Sequence, residues 1–180
     1  MKIPWERFNL YLLAALLVTI AAACGCRSAE ERKQRRMLST LRLHLEANRD
    51  GTQADEAVPV YRARPAWVRI AKNPFLTEAN VSEAAVVDAV GGFALRVQFN
   101  REGRTLLNQY TAINRGRRMA IFSQFGNELK EARWLAAPVI SRHITDGVLI
   151  FTPDATRAEA AEIALGLNNV SRKVRTWVDR

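Results

Sequence analysis

Cysteine and histidine are scarce in this sequence, which has two residues of each type among 180. Cys24 and Cys26 lie in one short segment with no further cysteine or histidine nearby, so the pair does not fit a zinc site. His44 and His143 belong to no metal or protease spacing such as H-E-x-x-H. We therefore expect no metal site and no catalytic histidine.

The sequence also lacks the motifs of nucleotide and acyl chemistry. No phosphate loop is present, and Gly91-Gly92 are not part of a G-x-G-x-x-G fingerprint. Ser123 and Ser141 lack the G-x-S-x-G context of a nucleophilic serine. Most acidic residues fall at predicted helix caps and faces, where they serve solubility and helix dipoles. We predict that the protein is not an enzyme and binds no cofactor.

No apolar run is long enough for a typical membrane span, but a shorter one follows the first basic residues. Leu10–Ala23 is about fourteen residues long, which is typical of the core of an export signal. The run ends in alanines directly before Cys24, an arrangement that resembles a bacterial lipoprotein signal. The sequence therefore predicts a signal peptide over 1–23, a lipid on Cys24 and no internal disulfide; an uncleaved inner-membrane signal anchor is the alternative.

Positive charge exceeds negative charge in the chain, with 27 Lys+Arg against 18 Asp+Glu and a net charge of +9. This balance favours anionic partners, and export argues against nucleic acid as one of them. Leu38, Leu41 and Leu45 have helical spacing, so we expect a charged helical tether over 24–57. A solvated tether is one interpretation of its basic cluster, and contact with anionic lipid is the other. The candidate lipid contacts are Arg32, Lys33, Arg35 and Arg36.

Residues 58–170 carry the patterns of one α+β domain, and a basic tail follows over 171–180. Gly91-Gly92 separate two strand-like runs and predict a hairpin, because tight hairpin turns need positive φ angles. Asn100 and Gly116 mark the start and end of a helix. The apolar stripe of that helix is predicted to be Leu106, Leu107, Tyr110 and Ile113.

The second half of this domain shows two further strands and a well-specified helix. Met119–Phe122 predicts a strand, Gly126–Arg133 a loop, and the wholly apolar Val148–Phe151 a central strand covered on both faces. Thr156 and Glu159 fit a capping box at the start of the last helix, which Asn168-Asn169 are expected to end. Two helices among short strands suit a split β-α-β unit with both helices on one face of a small antiparallel or mixed sheet.

The order of these motifs resembles the head portion of the first periplasmic domain of SecD, a subunit of the Sec translocase. The resemblance covers about Phe75–Asn169 and implies a ferredoxin-like fold with a protein-contacting role at the outer side of the membrane. Ser123–Leu135 is longer than the acidic hairpin that SecD has there, and the chain lacks the membrane helices that drive SecD. The matching residues are Pro74–Thr77, Ala84–Val87, Ala94–Asn100, Gly103, Tyr110-Thr111, Gly116–Ile121, Ala137–Ile140, Ile144, Gly147 and Thr156–Leu167.

Arg133 and Trp134 form the candidate partner-binding pair, because they lie where the chain departs from SecD. Tryptophan and arginine lead among interface hot spots; a core position is the alternative for Trp134. The sequence thus predicts a non-enzymatic lipoprotein of the cell envelope, facing the periplasm and linked to protein export. Its expected partners are the membrane, Sec translocase components or exported chains. The alternative is a structural lipoprotein that adheres to anionic lipid or cell-wall polymer.

Overall fold

The computed structural model describes residues 31–48 and 54–178. The chain divides into two compact units, of which the first ends at Arg36 and the second begins at Met37. The described part of the first unit, residues 31–36, is helical. Cys24 and the predicted signal peptide lie outside the described residues. Of the helices that the structure describes, none combines the length and the apolar character needed to cross a membrane.

Within the described residues, the second unit contains nine strands and two long helices. Three antiparallel sheets have the strand orders β4-β1-β7-β8, β2-β3 and β5-β6-β9. The helices are α1 (Arg101–Ile113) and α2 (Arg157–Val178). The strands are β1 (Arg42–Leu45), β2 (Asp55–Val60), β3 (Ala66–Ala71), β4 (Leu76–Thr77), β5 (Val81–Ala89), β6 (Gly92–Phe99), β7 (Met119–Phe125), β8 (Glu131–Ala136) and β9 (Val148–Phe151).

The expected helical tether over 24–57 is wrong for residues 42–45 and 55–57, which belong to strands β1 and β2. β1 lies between β4 and β7 in the four-stranded sheet. Leu41, Leu43 and Leu45 contribute to one core, and their spacing of two residues fits a strand with one buried face. Leu38, Leu41 and Leu45 also match helical spacing, so the spacing of the leucines could not distinguish a helix from a strand.

The predicted hairpin and the helix after it are both confirmed. β5 and β6 pair from Ala89 and Gly92 outward, and Gly91 turns the chain with φ +83°. The side chain of Asn100 caps α1 by accepting a hydrogen bond from the Gly103 N–H at 2.8 Å. Gly116 adopts φ +83°, which turns the chain from α1 toward β7.

The capping box of α2 is confirmed, but the helix continues to Val178 instead of ending at the two asparagines. The Thr156 N–H donates to Glu159 Oε2 at 2.6 Å, and the Glu159 N–H donates to Thr156 Oγ1 at 3.2 Å. Asn168 instead binds the backbone of β5. Asn169 donates to the Met37 carbonyl. Both asparagines therefore serve tertiary contacts and do not terminate the helix.

Two strand predictions need correction. Val148–Phe151 forms a strand, but it lies at an edge of the three-stranded sheet and Ile150 is 55% exposed. The predicted loop Gly126–Arg133 is shorter than expected, because β8 begins at Glu131, opposite Phe125. The first error arises because the place of β9 depends on β6, a partner about fifty residues earlier. The second is local, since β8 pairs with β7 directly before it.

Two hydrophobic cores cover the two faces of the four-stranded sheet. The main core joins this sheet to the three-stranded sheet and to buried residues of both helices, such as Leu107 and Ile163. The second core lies under the β2–β3 hairpin. It contains Val58, Val60, Val68, Ile70, Ala120 and Ala137, with Trp134 packed against it. The α+β class is confirmed, whereas the ferredoxin-like single sheet is not, since the described strands form three sheets.

Candidate functional site

A cleft of about 470 Å³ lies between the C-terminal end of α1 and the segment that joins β3 to β4. We call it the α1 cleft and define it by Leu45, Lys72, Phe75, Tyr110, Ile113 and Arg117. Its lining combines large apolar side chains with two cations. Among the described residues that line it, none is acidic.

The apolar part of the α1 cleft is built from two aromatic rings. Phe75 and Tyr110 stack with their ring centroids 4.5 Å apart and their planes at 24°. The Phe75 N–H donates to the Leu43 carbonyl at 2.9 Å, which fixes the segment to β1. Ile113, on the last turn of α1, is 81% exposed. The stacked rings and the exposed side chain of Ile113 therefore give the α1 cleft an apolar surface that a ligand can cover.

The cationic part of the α1 cleft comes from Lys72 and Arg117. Lys72 is exposed, whereas the guanidinium of Arg117 is held by Asn114 Oδ1 at 2.7 Å and by the Glu46 carbonyl. Both partners of Arg117 are neutral oxygens, so its positive charge is not cancelled by them. The lining is therefore both apolar and positively charged.

A second cleft, of about 360 Å³, adjoins the first through the shared residue Asn48. Trp67 lines it and is 70% exposed. Its charges are partly compensated, because Arg69 forms an ion pair with Asp55 at 2.7 Å. Together the two clefts make a surface that is longer than either cleft alone.

Trp134 and Arg133, the predicted binding pair, are largely engaged inside the fold. Trp134 is half-buried against the second core, with its ring 5.4 Å from that of His44 and 5.0 Å from that of Phe122. The side chain of Arg133 is 12% exposed and pairs with Glu159 at 3.1 Å. This placement supports the alternative of a core position for Trp134. Both residues border a groove of about 280 Å³ beside the β2–β3 turn, so their role in binding stays a prediction.

Arg133 belongs to an ionic cluster that ties the β2–β3 turn to the start of α2. Its hydrogen bond, followed by that from the Thr156 N–H, lowers the pKa of Glu159 to about 2, although burial opposes this shift. The Arg62 N–H donates to Asp154 Oδ2 at 2.7 Å. The cluster joins elements that are distant in sequence, and Glu159 contributes to it by pairing with Arg133.

The two histidines have different surroundings. His44 is buried beneath the β2–β3 hairpin, and burial lowers its pKa. Its Nδ1 lies 2.9 Å from the Ala71 carbonyl, which can only accept, so Nδ1 carries the proton. His143 contacts Asn108 at the surface. In the described part of the chain, no group of three or more His, Cys, Asp or Glu side chains could hold a metal ion.

The candidate lipid contacts occupy the described end of the first unit. They are exposed on a helical segment, as a contact with a surface requires. The residues are Arg32, Lys33, Arg35 and Arg36.

Comparisons with known proteins agree on one family. The family model for the SecDF P1 head subdomain matches residues 55–171. The protein translocase subunit SecDF of Thermus thermophilus is 34% identical over 102 residues, which are 56% of this chain and 13% of that protein. The chain thus spans a small part of this relative.

Solved structures show the same fold. One, of a membrane component SecDF that enhances protein export, gives a TM-score of 0.53 at 21% identity and covers 79% of this chain and 67% of that one. Another, of SecDF in a super-membrane-facing form, gives a TM-score of 0.52 at 23% identity, and the match covers 76% of this chain and 20% of that one.

Proposed function

The chain belongs to the SecDF P1 head subdomain family, and from this premise we propose that it is a non-enzymatic envelope lipoprotein that binds extended protein chains during export. Its family relation is to a protein translocase subunit, which connects the domain with protein export. The binding site in this proposal is the α1 cleft.

The observation that carries the proposal is the apolar surface of the α1 cleft. An exposed large apolar side chain beside a concave apolar site is typical of an interaction surface. Ile113 and the Phe75–Tyr110 stack provide this combination. The adjoining cleft at Trp67 extends the surface, which suits a long ligand such as a polypeptide better than a compact metabolite.

The lipid on Cys24 completes the proposal. Such an anchor would hold the domain at the membrane surface, where exported chains emerge. The exposed basic residues Arg32, Lys33, Arg35 and Arg36 would add attraction to anionic lipid, the second signal that a single lipid chain needs for stable attachment. Sec translocase components and exported chains are the proposed partners.

Site-specific photo-cross-linking in the native cell tests this function. A photoreactive amino acid replaces Ile113, and the matched control places it at Ile150, a second exposed isoleucine that lies on β9. We expect cross-links from position 113, but not from position 150, to exported chains or translocase subunits. Equal labelling from both positions, or recovery of unrelated envelope components alone, would contradict the proposal. Mass spectrometry of the same sample shows whether the chain begins at a lipidated Cys24.

A further inference from the structure

We propose that the α1 cleft selects protein segments in which acidic side chains alternate with apolar ones. This specificity rests on the proposed function, because it names the class of chain that the cleft takes. It follows from the charge of the lining, from the position of the apolar rings and from the concave shape.

Positive charge predominates among the described residues that line the α1 cleft. Lys72 and Arg117 are its charged residues, and none of the lining residues that the structure describes is acidic. Two described carboxylates directly follow lining residues along the chain, and both have other partners. Glu46 accepts a hydrogen bond from the Arg118 N–H at 2.8 Å, and Asp55 pairs with Arg69 at 2.7 Å. A ligand carboxylate would therefore meet two cations, and none of the described lining residues carries a negative charge that would compensate them.

The C-terminal end of α1 opposes this attraction, since helix C-termini carry partial negative charge. Part of this negative charge is compensated, because the Asn114 N–H and the Asn114 side-chain Nδ2 donate to the Tyr110 carbonyl at 3.2 and 2.9 Å. Even without this compensation, the partial charge of a helix C-terminus amounts to only about half an elementary charge. Two full positive charges outweigh it, so the cleft attracts anions.

The apolar groups explain why a carboxylate alone is not the best ligand. The stacked rings of Phe75 and Tyr110 lie beside the cations in the same cleft. A side chain that covers them removes apolar surface from water, which is worth about 25 cal/mol per Å². Segments that offer an apolar side chain next to an acidic one can satisfy both features at once.

The shape of the site favours a peptide over an anionic membrane. A bilayer is a flat, extended surface, whereas the α1 cleft is a concavity of about 470 Å³. Individual side chains can enter such a space, but a bilayer surface would meet its edges. The stacked rings would then stay uncovered.

Peptide binding to the purified full chain in detergent tests the inference. Three labelled peptides of equal length alternate glutamate with phenylalanine, lysine with phenylalanine, and glutamate with serine. Fluorescence anisotropy gives the dissociation constants. We expect the glutamate–phenylalanine peptide to bind at least about tenfold more tightly than the other two, and salt to weaken it by screening.

A charge reversal in the cleft supplies the matched comparison. Lys72→Glu should weaken the glutamate–phenylalanine peptide by roughly fivefold to tenfold, as expected for an exposed ion pair that is lost and replaced by repulsion. Lys130→Glu makes the same chemical change where the side chain is 71% exposed. It follows the far end of β7, about 20 Å along the strand from the cleft, and should leave binding unchanged.

Failure of the proposed specificity and failure of the proposed function give different results. Equal binding of the lysine–phenylalanine peptide, with cross-links from position 113 retained, would overturn the specificity and leave the proposed function standing. Loss of both peptide binding and cross-links would overturn both. If Lys72→Glu weakens binding to phosphatidylglycerol vesicles while peptide binding is unchanged, an anionic bilayer is the occupant and the inference is overturned.

Discussion

Replacing Glu159 with glutamine should cost stability at neutral pH and cost progressively less in acid. Glu159 accepts hydrogen bonds from the Arg133 guanidinium at 3.1 Å and from the Thr156 N–H at 2.6 Å. Glutamine can accept from the same donors and also suits a capping box. The substitution therefore removes the negative charge while it keeps the shape of the contact.

The size of the effect follows from the pKa of Glu159, which folding lowers from 4.5 to about 2. Because the folded state favours the deprotonated carboxylate, this stability is fully present above about pH 4.5 and is lost as the pH falls toward 2. A pKa difference of this size corresponds to at most about 3 kcal/mol. Since 25% of the Glu159 side chain is exposed, solvent screening reduces our expectation to about 1–2 kcal/mol.

Urea unfolding followed by tryptophan fluorescence and far-UV circular dichroism measures this difference. Wild type and Glu159→Gln are compared at about pH 7, 5, 4 and 3. We expect a constant gap between pH 7 and 5 that narrows below pH 4. A gap that persists unchanged at pH 3, or no gap at pH 7, would refute the assignment of this stability to the carboxylate charge.

Three further substitutions test the packing. Burial lowers the pKa of His44 from 6.5, so the unfolded chain binds a proton at a higher pH than the folded chain does. The stability of the wild type should therefore fall as the pH drops below about 6.5. In His44→Gln, the urea midpoint should depend less on pH between about pH 7 and 5.5. Trp134→Ala should lower the free energy of unfolding by about 2 kcal/mol, since the half-buried ring packs against the second core; an unchanged urea midpoint would make it a surface residue. Gly166→Ala should destabilise the folded protein by about 1–3 kcal/mol in thermal unfolding, because the added Cβ would lie 2.6 Å from the backbone nitrogen of Ser39. The control Ala161→Gly, at an exposed position of α2, should cost about 1 kcal/mol through the lower helix propensity of glycine.

Local signals predicted the elements that depend on neighbours in sequence. The Gly91-Gly92 hairpin and the Thr156–Glu159 capping box each require residues within a few positions of one another, and the structure has both. β1 pairs with β7, more than seventy residues away. Its leucine spacing fits a helix and a strand equally well, so no local rule could decide between them.

The α1 cleft could not be predicted from the sequence, because it forms where α1 meets a segment about forty residues earlier. The helical stripe correctly included Leu107, which is fully buried, but it also included Ile113, which is 81% exposed. α1 continues past the core that covers its middle. A signal was present: Ile113 is followed by Arg115, Arg117 and Arg118, and an apolar residue beside several cations suits a surface site.

One amide of α2 has a further consequence for a domain that is proposed to handle extended chains. Asn168 receives the Ala84 N–H on its Oδ1 and donates its Nδ2 to the Ala84 carbonyl, both at 2.8 Å. It thereby occupies the two backbone groups through which β5 would recruit a neighbouring strand. Two residues earlier on β5, the Ser82 carbonyl accepts a hydrogen bond from Ser171 Oγ at 2.9 Å. The helix thus keeps this part of β5 from adding a foreign strand by backbone pairing, so a chain bound here would have to be recognised through side chains and could leave without breaking a sheet.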